Sequence, residues 1–182
     1  MVSRNAVPAF SLAALLSFPV AGLSASPWSP VGPPGGAVYG LAPDPKAANV
    51  LYAGAFGGGV WKSMDGGATW TRLAGVPARE TVNAVAVSPA DSRVVLAAGF
   101  TALWRSTDAG ATWKKVLDQK IQQPAMTGLA FDPANPANVW ASSDSDGHPA
   151  GVFRSTDSGA TWKLVDAGTT SISRAWGVAV SH

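Results

Sequence analysis

An all-β fold of small four-stranded antiparallel sheets, repeated along the chain, is what the sequence predicts, and three observations predict it. The segment SMDGGATW at Ser63–Trp70 returns as STDAGATW at Ser106–Trp113 and as STDSGATW at Ser155–Trp162. Trp28, Trp70, Trp113 and Trp162 fall 42, 43 and 49 residues apart. Gly and Pro punctuate the chain every few residues, and β-branched and aromatic residues fill the runs between, which leaves helices little room. Four short strands per unit of this length is the period of a β-propeller blade. A solenoid of stacked repeats, usually shorter or helical, is the competing architecture.

Each unit supplies its strands in the same order. The first strands read VYGLAPDP from Val38, VNAVAVSP from Val82, MTGLAFDP from Met126 and WGVAVSH from Trp176. Second strands follow as VLYAGA at Val50, VVLAAG at Val94 and VWASS at Val139. GVWKS, ALWRS and GVFRS form the third strands, and the Thr-Trp of the repeated turn opens the fourth, in TWTRL, TWKKVL and TWKLV. A period of two along the first strands predicts a small face, with Val38, Gly40 and Ala42, then Val82, Ala84 and Ala86, then Met126, Gly128 and Ala130. Bulkier Leu41, Val85, Leu129 and Val178 fall on the other face, so neighbouring blades would set a bulky row against a small one.

Before the repeats, Arg4 and the apolar stretch Phe10–Leu23, followed by small Ser24, Ala25 and Ser26, have the layout of a secretory signal peptide over 1–26. The stretch is too short for a bilayer span and Pro19 interrupts it, so the expectation is an exported chain, extracellular or periplasmic, with no membrane span after cleavage. Residues 27–182 then form a partial propeller, with units at about 28–70, 71–113, 114–162 and 163–182. Three units are complete and a fourth has begun, where closed propellers usually have four to eight blades. The expectation is therefore a portion of a longer propeller, or a half that associates with another copy.

Composition excludes several functions. There is no cysteine, hence no thiol nucleophile, thiolate metal site or disulfide. Charged residues make up 13% of the chain, about half the usual share of roughly 25%. The net charge is +2, with basic residues scattered rather than gathered in a phosphate-tracking stripe, so nucleic acid is not an expected partner. No HExxH pattern, Ser/His/Asp arrangement or helix-borne phosphate loop stands out, and no cofactor or metal site is expected.

The repeated frame Ser-x-Asp-x-Gly-x-Thr-Trp has a mechanical reading. The Asp carboxylate accepts backbone N–H groups within its own turn. Gly permits positive φ, the Ser and Thr hydroxyls tie the flanking strands together, and Trp anchors the outer strand on its sheet. At these residues the sequence resembles the Asp-box, or bacterial neuraminidase repeat, family of propellers, which includes sialidases, xyloglucan-cleaving glycosidases, sortilin-type receptors and photosystem II assembly factors. The resemblance covers about Trp28 to His182. It implies structural roles for Ser63, Asp65, Gly67, Thr69 and Trp70, for Ser106, Asp108, Gly110, Thr112 and Trp113, and for Ser155, Asp157, Gly159, Thr161 and Trp162. It also implies that the boxes lie between third and fourth strands, away from the ligand face.

Ligand contacts are then expected in the loops between second and third strands and in the connections between blades. Candidates there are Arg79 and Glu80 (the only Glu), Asp144, Asp146 and His148 of the DSDGHPA loop, Arg174 and Trp176. Asp-x-Asp-Gly matches the opening of a calcium loop, but the later oxygen ligands are missing. Trp176 occupies the position held by Tyr39, Asn83 and Thr127 in the other units, where an aromatic side chain could line a central channel and stack on a sugar; core packing is the alternative for it. A glycoside hydrolase needs two carboxyl groups flanking the scissile bond. Outside the boxes and the Asp-Pro turns only Glu80, Asp118, Asp144, Asp146 and Asp166 are placed to serve. A sialidase would also need three arginines and a Tyr–Glu nucleophile pair, whereas Tyr39 and Tyr52 both lie on first-unit strands and the Arg-Ile-Pro signature is absent. A binding or scaffold module for a protein or carbohydrate ligand is the primary expectation, and a glycoside hydrolase with an incomplete site is the alternative.

Overall fold

The structure, a computed structural model, describes residues 31–34, 36–118, 125–144, 151–165 and 177–181. Among these there is no helix, and twelve strands form three antiparallel sheets. The first sheet holds β1 (Val38–Asp44), β2 (Ala47–Ala55), β3 (Gly59–Ser63) and β4 (Thr71–Arg72) in sequence order. The second holds β5 (Val82–Val87), β6 (Val95–Gly99), β7 (Ala102–Ser106) and β8 (Lys114–Asp118). The third holds β9 (Ala125–Phe131), β10 (Val139–Asp144), β11 (Val152–Ser155) and β12 (Lys163–Val165). These are three propeller blades, and they do not close into a ring.

The hydrophobic core sits between blades rather than within them. One cluster joins Ala42, Tyr52 and Val60 of the first blade to Val82, Val85, Val87, Val95 and Trp104 of the second. Another joins Ala98 and Leu103 of the second blade to Met126 and Ala141 of the third. A four-stranded leaflet with two apolar faces gains its burial from its neighbours, so each blade depends on the next. Close approach near the inner strands requires small residues. A Cβ on Gly40 would stand 2.9 Å from the Ala84 Cα, and one on Gly128 would stand 2.9 Å from the Val178 nitrogen. Residues 177–178 thus lie on the third blade much as β5 lies on the first.

The expected alternation of faces needs one correction. Register shifts separate Val38 from Gly40, Val82 from Ala84 and Met126 from Gly128, which makes Tyr39, Asn83 and Thr127 the extra residues of the ladder. Each inner strand carries a β-bulge at the same place, and a bulge resets the side-chain alternation. Val82 therefore joins Val85 and Val87 in the cluster facing the first blade, while Ala84 faces the third. The bulky-against-small rule holds, but Val82 and Met126 belong to the bulky row.

Fourth strands also begin later than Thr-Trp. They start just after Trp70, Trp113 and Trp162, because the preceding Thr and Trp are engaged in the turn.

Candidate functional site

The three boxes have the same bonding. In the first, Ser63 Oγ donates to Asp65 Oδ1 at 2.7 Å and accepts the Gly67 N–H at 2.8 Å. The Thr69 N–H donates to Asp65 Oδ1 at 2.8 Å, and its hydroxyl donates to Oδ2. Trp70 Nε1 donates to the Gly67 carbonyl at 2.9 Å. The same five contacts recur at Ser106, Asp108, Gly110, Thr112 and Trp113, and at Ser155, Asp157, Gly159, Thr161 and Trp162. The hydroxyls close the turn on itself instead of tying the flanking strands. Both carboxylate oxygens accept hydrogen bonds from within the turn.

The electrostatics agree. The Thr69 hydroxyl and N–H, with Ser63, hold the Asp65 carboxyl down at about 2, and Thr112 and Ser106 do the same for Asp108. At Asp157, burial pushes the other way, yet the bonds from Thr161 and Ser155 outweigh it and the group again lies at about 2.

The boxes also couple blades. Ala109 and Ser158, just before the box Gly, adopt positive φ of 57° and 55°. The Ala109 carbonyl accepts Tyr52 Oη at 3.0 Å and Lys62 Nζ at 3.1 Å from the first blade. Burial, followed by the nearby Asp44 charge, pushes the Tyr52 phenol up to about 12, so it keeps the proton it donates. The Ser158 carbonyl accepts Arg105 Nε at 2.9 Å from the second blade. Trp113 and Trp162 pack against the interblade clusters, so they anchor blade to blade as well as strand to sheet.

The opposite end is built from the bulges. Tyr39, Asn83 and Thr127 line a cavity of about 760 Å³ together with Phe56, Phe100, Thr81, Ala125 and Asp144. Phe56, Phe100 and Asp144 occupy equivalent places, each at or just past the end of a second strand. Bulges re-aim side chains, and here the same device in three successive blades turns three different residues toward one space. Tyr39 and Phe56 meet edge to face with ring centroids 5.8 Å apart. Phe56 and Phe100 are 58% and 60% exposed, so their faces are available to a ligand. Asn83 Nδ2 donates to the Met126 carbonyl at 2.8 Å, which fixes its carboxamide across the gap between blades.

Of the expected ligand-face residues, Asp144 reaches this cavity. Arg79 is exposed but does not line it. Glu80 is buried, 7% exposed, and its carboxylate accepts the Thr101 N–H and hydroxyl, both at 2.7 Å. It ties the connection between blades to the loop after β6, and its oxygens point into the protein. Asp146, His148, Arg174 and Trp176 lie outside the described residues, as does the side chain of Asp118. The sequence presents Phe56 and Phe100 only as loop residues; their matching position after the second strand is the signal that marks them as cavity walls. Among the described residues no group of three His, Asp or Glu side chains is placed to hold a metal ion, and no helix is long and apolar enough to cross a membrane.

Among solved structures, the chain is similar to an ancestral GH74 enzyme, at 28% identity and a TM-score of 0.62, over 76% of this chain and 19% of that one. A GH74 enzyme of Niastella koreensis is similar at 23% identity and a TM-score of 0.56, over 71% of this chain and 22% of that one. YCF48 bound to D1 peptide is similar at 18% identity and a TM-score of 0.60, over 78% of this chain and 45% of that one. The chain thus spans about a fifth of the length of these GH74 enzymes and less than half of YCF48. No curated protein matches it. The family model described as sortilin, neurotensin receptor 3 matches residues 58–180, more than half of the chain, and the chain belongs to this Sortilin-Vps10 family of β-propellers.

Proposed function

We propose that the chain is part of an exported Asp-box propeller acting as a binding or scaffold module, with the bulge-lined cavity as its seat for a protein or carbohydrate ligand. One observation carries this reading: topologically equivalent positions of three blades converge on one cavity and bear different side chains there. Exposed Phe56, Phe100 and Tyr39 offer faces for a sugar ring or an apolar peptide side chain, and Asn83, Thr81 and Thr127 offer hydrogen bonds that fix orientation. The family description names a neurotensin receptor, which is compatible with ligand capture. Calorimetric titration with xyloglucan oligosaccharides and a library of short peptides tests the reading. Saturable binding by either class, weakened at least about tenfold in Phe100→Ala, is expected. Binding that survives simultaneous loss of Phe56, Phe100 and Tyr39 side chains would remove the cavity from consideration. Export is supported by the layout of residues 1–26 and predicts a mature product beginning near Ser26 or Pro27.

A second reading, glycoside hydrolysis, is favoured by the 28% identity to an ancestral GH74 enzyme. Among the described residues lining the cavity, Asp144 alone carries a carboxylate, so a partner carboxylate must come from elsewhere. Turnover of a fluorogenic xyloglucan oligosaccharide, abolished in Asp144→Asn, would move the assignment to this reading.

A further inference from the structure

The third blade carries one half of a contact that the first two blades complete. The register pairs Tyr52 with Lys62, Leu96 with Arg105 and Trp140 with Arg154. In the first blade, Tyr52 and Lys62 both hold the carbonyl before the next box Gly, and Tyr52 is fully buried. In the second, Arg105 holds the matching Ser158 carbonyl, and Leu96 is buried so tightly beneath the box that a Cβ on Gly159 would stand 2.7 Å from its Cδ2. In the third, Arg154 is exposed and Trp140 only half-buried. The Arg154 guanidinium lies 5.2 Å from the centre of the Trp140 ring and donates to Asn138 Oδ1 at 3.1 Å, so the pair is already held in place.

We propose that Trp140 and Arg154 form a seat for the Asp-box hairpin of a further blade, the blade that residues 177–181 begin. Two facts name this occupant. The seat repeats an arrangement that twice receives a box hairpin within this chain. The inner part of the same face already holds Gly177 and Val178 against Gly128, as the first strand of the next blade holds its place elsewhere. Arg154 would donate to the carbonyl of the residue before the box Gly, and the indole would pack beneath that Gly. An arginine suits this better than a lysine where the stem must also cover an aromatic face. The contact would bury the apolar surface that Trp140 now shows.

Because the chain has no cysteine, the seat can be tested by disulfide trapping. The full chain carrying Arg154→Cys is mixed with a synthetic peptide of residues 91–118 bearing Ala109→Cys, which supplies second to fourth strands with their box. A chain carrying Lys62→Cys and Ala109→Cys is the internal control for geometry. Cross-linking several-fold faster than with a peptide of scrambled box sequence is expected, and equal rates would overturn the proposal. Preferential trapping of a second copy through Gly66→Cys would overturn it too, by giving the seat a different occupant. A second measurement does not depend on the peptide folding in solution. Residues 91–118 are appended to the chain, and Arg154→Ala is made with and without them. The substitution should lower the melting temperature by about 3 °C or more only in the extended chain. An equal effect in both backgrounds would leave Arg154 a surface residue.

Discussion

The two ends of each blade follow opposite rules. At the box end, Ser, Asp, Gly, Thr and Trp recur in three blades with the same five hydrogen-bond contacts. At the cavity end, equivalent positions hold Tyr39, Asn83 and Thr127, and then Phe56, Phe100 and Asp144. Internal repeats provide their own comparison. A position that must solve the same folding problem in every blade is spelled the same way; a position that contributes one wall of a shared cavity is free to differ. On the proposed reading, repetition marks the scaffold and variation marks the site. That contrast predicts that damage to stability falls, and damage to binding rises, from the repeated positions to the varied ones.

The largest effect belongs to the small residues where blades touch. Gly40→Leu would drive a side chain into the backbone of β5, which has no flexible end to yield. Overpacking of this kind costs about 3 kcal/mol or more, read as a shift of the urea midpoint or as failure to fold. Gly128→Leu should cost somewhat less, because the atoms it meets are the Ser142 hydroxyl, which can turn, and residues 177–178 rather than a full strand of a complete blade.

Next comes the box hydroxyl. Ser106 is buried, accepts the Gly110 and Asp108 N–H groups and donates to Asp108 Oδ1. Ser106→Ala leaves two N–H groups without this acceptor and should cost about 2 kcal/mol by chemical denaturation. Ser63→Ala and Ser155→Ala should match it closely. A large spread among the three would break the claim that the boxes are equivalent.

Acid sensitivity gives a smaller and more graded readout. The folded-state value of about 2 for each box carboxyl lies below the ordinary 3.8. The native state therefore binds the proton more weakly than the unfolded chain does. The box contribution is complete above about pH 3.8 and is lost as pH falls through about 2. Melting temperature should fall over that window, and Asp108→Asn should start lower and fall less steeply.

Much of this architecture was legible because the physics that sets it is local. A turn that satisfies itself through Ser63, Asp65 and Thr69 needs only eight residues, and the runs between turns declare their strands through composition. What escaped is what depends on a strand or loop brought alongside from elsewhere in the chain. The bulges at Tyr39, Asn83 and Thr127 have no shared residue type. Their trace is indirect: bulky Val38, Val82 and Met126 interrupt a row that is otherwise small. Glu80 looks like a surface acid until Thr101 is brought against it from the loop after β6. The positive φ at Ala109 and Ser158 falls on residues of no special type, although the same place in the first box is a Gly.

Phe100→Ala should have the smallest effect on the fold and the largest on binding. Its ring is mostly exposed, so truncation removes little buried surface, and stability should change by no more than about 0.5 kcal/mol. Its N–H donates to the Thr81 carbonyl at 2.9 Å through the main chain, a bond that alanine keeps. The backbone around the cavity therefore stays in place while one wall loses its face. A ligand that stacks on that wall should bind at least about tenfold more weakly, with the melting temperature of the free protein unchanged. Trp104 in the same blade is the matched control: it is buried in the cluster between blades, so Trp104→Ala should cost about 3 kcal/mol or more. If the two substitutions instead lowered stability alike, exposure at the cavity would not separate site from scaffold, and the variation among blades would lose its functional meaning.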